Sequence, residues 1–134
     1  KGGQRLPERL AVKTLGVITK ALRLKKDVTI SVAFVSETEI KKLNRSWRGK
    51  NRVTDVLSFG LEDGEVFGEV LISYEQAARQ AKQMKHSVTE EIVFLLVHGV
   101  LHLFGHDHEK PADAKKMFPL QSRILIALGV DARL

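Results

Sequence analysis

Four of the five histidines in this 134-residue chain fall within thirteen consecutive residues, VHGVLHLFGHDHE, Val97 to Glu109. Two histidines four apart on a helix share a face, with Cβ atoms roughly 5–6 Å apart. His98 and His102 can therefore aim ring nitrogens at one ion. The flanking residues Ile92–Val97, Val100, Leu101, Leu103 and Phe104 are apolar nearly all round, so this helix belongs in the core, where an unpartnered imidazole is costly. A single histidine in such a helix is most often a hydrogen-bonded core residue; the pair, the glycine and the further histidine reverse that expectation. Gly105 can adopt positive φ and turn the chain so that His108 reaches the same ion. Three neutral imidazoles and a water make an open, tetrahedral zinc site of the catalytic type. His106 and Asp107 lie between these positions and are alternative third ligands, His106 ranking below His108 because it points the other way in an extended turn. His86 stands apart near a helix boundary and is given no role.

Written out, the stretch reads H-G-x-x-H-x-x-G-x-x-H, which matches the metzincin protease pattern at each ligand and at the glycine. Gly99 stands where a protease helix carries its glutamate base. A glycine cannot take a proton from water, so the ligand cage is protease-like and the catalytic base is not. Asp55, Glu69 and Asp107 are the carboxylates nearest the motifs, and no spacing selects one of them.

A second group of residues suits a phosphodiester. Lys41, Lys42, Arg45, Arg48, Lys50 and Arg52 are six cations within twelve residues, with no acid between them. A guanidinium can hold two non-bridging phosphate oxygens at once. Trp47 sits in this run, but its spacing from Ile40 and Leu43 assigns it to the core rather than to base stacking. The whole chain carries 22 Lys and Arg against 16 Asp and Glu, a net charge of +6, which favours polyanionic partners, nucleic acid first. Metal-binding histidines beside a basic patch point to hydrolytic phosphoryl transfer on a nucleic acid.

Composition closes other routes. The absence of cysteine rules out disulfides and thiolate metal sites. The longest apolar run, Ile92–Val97, is too short for a membrane span, and the first residues lack the apolar region of a signal peptide, so a cytoplasmic location is expected. The length fits one domain, residues 1–134.

The elements that must position these residues follow from periodicity. Leu10, Val12, Leu15, Ile18 and Leu22 predict a helix within Pro7–Leu24, and the alternation of Val28, Ile30, Val32 and Phe34 predicts a strand. Ser36 with Glu39 opens a short helix whose stripe is Ile40, Leu43 and Trp47. Asp55–Phe59 and Val66–Ile72 read as strands about a turn at Glu62–Gly64. Ser73 caps a helix to about Met84, and Ser87 with Glu90 opens the histidine helix, which runs through Leu103 until Gly105 stops it. A last helix lies within Ala112–Leu128, disturbed by Pro119 and ended by Gly129. Strands do not alternate cleanly with helices, so the class is α+β: a small mixed sheet with one dominant helical layer.

The run His98–His108 resembles the signature of the YbeY family, bacterial metal-dependent endoribonucleases of ribosomal RNA maturation. The segments LNRSWRGKNRVTDVLSFG, Leu43 to Gly60, and GEVLIS, Gly68 to Ser73, resemble two further blocks of that family. Val53, Gly60, His106 and Phe118–Pro119 depart from its pattern, in loops and packing positions. The resemblance implies a zincin-like fold with a four-stranded mixed sheet and about five helices. It implies one zinc per chain on His98, His102 and His108, and an essential arginine at Arg48. It also implies single-strand-specific cleavage of ribosomal RNA precursors, in maturation of the 16S rRNA 3′ end and in ribosome quality control. Small ribosomal subunit proteins and an assembly GTPase are the protein partners it suggests. Two other classes compete: a zinc peptidase with its base elsewhere, and a zinc-stabilised RNA-binding assembly factor without catalysis.

Overall fold

The computed structural model describes residues 6–23, 29–48, 56–60, 66–104 and 111–130; within these, residues 44–48, 56–60, 66, 67, 111, 113 and 114 are described by their backbone alone. Eight elements follow one another: α1 (Glu8–Ala21), β1 (Thr29–Val35), α2 (Glu37–Arg48), β2 (Val56–Gly60), β3 (Val66–Ser73), α3 (Tyr74–Met84), α4 (Val88–Leu103) and α5 (Pro111–Ala127). The class is α+β, as expected. Among the described residues the sheet has three strands rather than four, in the order β1-β3-β2. Only three segments there carry a strand pattern, which is why the fourth is absent from them.

The sheet is mixed. β3 is its centre, parallel to β1 and antiparallel to β2. Register pairs Val32 with Val70 and Phe34 with Ile72, so these side chains share one face, and Ala33 pairs with Leu71 on the other. The first face carries the main core, in which Val70 and Ile72 pack with Ile92, Leu96 and Val97 of α4 and with residues of α1 and α5. The second face is covered by α2 through Ile40 and Leu43, which meet Leu71, Ala33 and Val35. Four helices therefore lie on one side of the sheet and α2 on the other.

α4 runs through the middle of the thick layer. Ile92, Val93, Leu95, Leu96, Val97, Val100 and Leu101 are all buried, as an all-round apolar helix demands. Its start is a complete capping box: Ser87 Oγ accepts from the Glu90 amide at 3.1 Å and Glu90 Oε1 accepts from the Ser87 amide at 3.0 Å. Ser73 caps α3 by accepting from the Gln76 amide at 3.2 Å. Ser36 likewise accepts from the Glu39 amide at 3.1 Å.

Two expectations need correction. Val12 is exposed, not part of the α1 stripe, because two residues on from Leu10 a helix has turned about 200°. Pro119 does not break α5, which continues through it to Ala127. Proline removes one helical hydrogen bond, here that to the Lys115 carbonyl. Both residues are exposed, so water can take the freed acceptor. Gly129 ends this helix as expected, at φ 77°, with the Val130 amide donating to the Leu125 carbonyl at 2.9 Å. Among the described residues, no helix is long and apolar enough to cross a membrane.

Candidate metal centre

The helical spacing does what the sequence requires of it: His98 and His102 meet on one face of α4. Their ring centroids are 4.7 Å apart with planes at 71°, and the two Nε2 atoms stand 3.1 Å apart. Both rings are part-buried. Phe94, one turn earlier, lies nearly parallel to the His98 ring at a centroid distance of 6.4 Å and walls that side.

Behind His98 the sequence concealed a partner. Gln121 on α5, 23 residues on, places Oε1 at 2.8 Å from His98 Nδ1. With Oε1 as acceptor, His98 carries its proton on Nδ1 and has its lone pair on Nε2. The contact with His102 is then a proton bridge, His102 Nε2–H donating to His98 Nε2. Two nitrogen ligands at about 2.0–2.1 Å from a tetrahedral ion stand roughly 3.3 Å apart, so these atoms are spaced to share an ion in place of that proton. The donor set, two imidazoles with the second nitrogen of His98 hydrogen-bonded to Gln121, suits zinc.

The other predicted ligands lie elsewhere in the chain. His108, His106 and Asp107 fall outside the described residues, as do Asp55, Lys50 and Arg52. Among the described residues no group of three His, Asp or Glu side chains gathers to hold an ion. Arg48 is the last residue of α2, and its side chain is not among those described, nor are those of Arg45 and Trp47. Lys41 and Lys42 are exposed on the same helix. Glu69 pairs with Ser31 and Phe59 across the sheet, on the Leu71 face that α2 covers. α4 packs on the opposite face, which sets Glu69 apart from the histidine pair.

His86, left without a role by the sequence, has one. It follows the left-handed Lys85 that ends α3, at φ 60°, and its Nε2 lies 2.8 Å from Glu91 Oε1 on the first turn of α4. Glu91 is only 1% exposed. Sequence reasoning missed both buried partners, Gln121 and Glu91. For Gln121 a signal was available: it interrupts the apolar stripe of Met117, Ile124 and Leu128.

Comparison with known proteins identifies the family. The model of the family described as endoribonuclease YbeY matches residues 4–129. An endoribonuclease YbeY from Limosilactobacillus fermentum is 41% identical, over 92% of this chain and 88% of its own. One from Carboxydothermus hydrogenoformans is 45% identical, over 87% of each chain. The solution structure of a protein from Thermotoga maritima superposes with a TM-score of 0.67 at 35% identity, covering 96% of this chain and 83% of that one. A family model spanning nearly the whole chain, and relatives this similar along most of their length, establish that the chain belongs to the endoribonuclease YbeY family.

Proposed function

We propose that this chain is a zinc-dependent endoribonuclease that cuts single-stranded regions of ribosomal RNA precursors in the cytoplasm, in maturation of the 16S rRNA 3′ end and in ribosome quality control. The observation that carries the reading is the pair of Nε2 atoms 3.1 Å apart on the core helix of a member of this family. His98, His102 and His108 would hold one Zn²⁺ per chain. When bound, such an ion supplies Lewis acidity to the phosphodiester and a lowered pKa for the attacking water.

The remaining work falls to the chain's own residues. Arg48 grips the scissile phosphate through its guanidinium fork and stabilises charge that builds on the non-bridging oxygens. Lys41, Lys42, Lys50 and Arg52 hold the RNA backbone by charge alone. Gly99 offers no proton acceptor, and Glu69 lies across the sheet, so α4 and β3 supply no carboxylate base to the histidine pair. Gly99 also weighs against the peptidase reading, which needs that base. Small ribosomal subunit proteins and an assembly GTPase are the partners that this work on the ribosome calls for.

The test pairs metal with activity. Purified protein should contain about one zinc per chain and cleave single-stranded RNA in a chelator-sensitive manner, with no turnover of unstructured peptides. Arg48→Ala should leave zinc content intact while reducing cleavage by on the order of 10²–10³. Arg48→Lys should stay impaired, because it keeps the charge and loses the fork. RNA binding without any cleavage, in zinc-loaded protein, would favour the assembly-factor reading.

A further inference from the structure

Packing alone does not explain Gln121. It occupies the core-facing stripe of α5 with Met117, Ile124 and Leu128, and is 1% exposed. Leucine or methionine would complete that stripe, whereas a buried amide costs free energy unless it is hydrogen-bonded. Its Oε1 contact, at 2.8 Å, is to the ring nitrogen of His98 that faces away from His102.

We infer that Gln121 is a positioning residue for the metal centre: it holds His98 in the Nδ1–H tautomer and so aims the Nε2 lone pair at the ion. This rests on the zinc reading proposed above. A neutral imidazole has one lone pair, and without an acceptor at Nδ1 the ring is free to carry its proton on Nε2, the form that cannot ligate. The amide also fixes the ring plane by tying α4 to α5, since its partner sits on a different helix. Being neutral, it orients the ligand without adding negative charge near the ion, which leaves the ion's full charge for an anionic substrate. Gln121 touches neither substrate nor ion; it acts through His98.

Cobalt titration of the metal-free protein tests this, with Co²⁺ absorption reporting ligand geometry and chelator competition reporting zinc affinity. Gln121→Met keeps length and apolar packing but lacks a strong acceptor. It should bind both metals roughly 10–100-fold more weakly, with thermal unfolding of the metal-free protein equal to wild type or higher. Gln121→Glu restores an acceptor and should bind at least as tightly as wild type with an unchanged cobalt spectrum. Wild-type affinity in Gln121→Met would overturn the positioning role and leave the zinc reading standing, whereas wild-type protein that takes up neither metal would overturn both. Should Gln121→Met fail to fold, nitrogen-15 spectra of the metal-free wild type decide: an Nδ1–H tautomer at His98 is expected, and an Nε2–H tautomer would refute the inference.

Discussion

The core helix α4 meets imidazole at two places, and the two differ in what lies behind the ring. At its first turn, His86 is delivered by the α3–α4 turn onto the buried carboxylate of Glu91, Nε2 to Oε1 at 2.8 Å. Two turns further on, His98 and His102 set Nε2 against Nε2, and the polar group behind His98 is the neutral amide of Gln121. Both places are part-buried, and the contact to the polar partner is 2.8 Å in each; the partner's chemistry differs. A ring nitrogen taken by a buried carboxylate holds two chain segments together. Two ring nitrogens turned towards each other, with the far side of His98 held by an amide, would present a pair of donors to the zinc ion proposed above. On the zinc reading proposed above, an imidazole packed against α4 serves the fold or the chemistry according to its partner.

That difference predicts which mutations separate metal from stability. The largest effect belongs to His102→Ala, which removes one of the two facing donors. Zinc content should fall from about one per chain towards zero and RNA cleavage should vanish, while the metal-free protein unfolds near the wild-type temperature. Metal analysis and calorimetry on the same sample read both quantities. Full zinc retention in His102→Ala would break the comparison at its chemical end.

His86→Ala should do the reverse. It strips Glu91 of a hydrogen bond at a buried site, a loss of about 1–3 kcal/mol. Urea unfolding should show that loss, and zinc stoichiometry should remain that of wild type. A drop in zinc content without a drop in stability would reassign His86 to the metal centre.

How far these regions could be read in the sequence depends on the range of the interactions that make them. Capping is local, so Ser73, Ser87 with Glu90, and Gly129 marked helix ends within a residue or two of where they fall. Alternation placed β1, and the four-residue interval put His98 and His102 together. The break that Gln121 makes in an apolar stripe was legible, but the partners of Gln121 and Glu91 were not, because those contacts depend on how α5 and the α3–α4 turn pack on α4. Pro119 misled for a related reason: its cost depends on whether water reaches the freed carbonyl, and that is a property of the packed helix. His108 was read from the turn that Gly105 permits and Arg48 from the basic run together with motif resemblance, and their side chains lie outside those described.

The smallest predicted effect tests whether the two ends of α4 are independent. Ser87→Ala removes the N-cap hydroxyl that accepts from the Glu90 amide, at a cost of about 1 kcal/mol, without touching either imidazole site. Glu91 and His98 are seven residues apart, about 10 Å along the helix, a separation at which perturbations without shared partners usually add. A ligand that binds only the folded state stabilises it by an amount set by its concentration and affinity. If the N-terminal end of α4 leaves zinc affinity unchanged, a given zinc excess should add the same stabilisation to Ser87→Ala as to wild type, and the two unfolding curves should stay about 1 kcal/mol apart with and without metal. His86→Ala should behave alike, with a wider constant gap. A zinc increment that shrinks in both variants would mean that the carboxylate-held turn helps to set the histidine pair. The two regions would then be one site, and the partner's chemistry would no longer suffice to tell a structural histidine from a ligand.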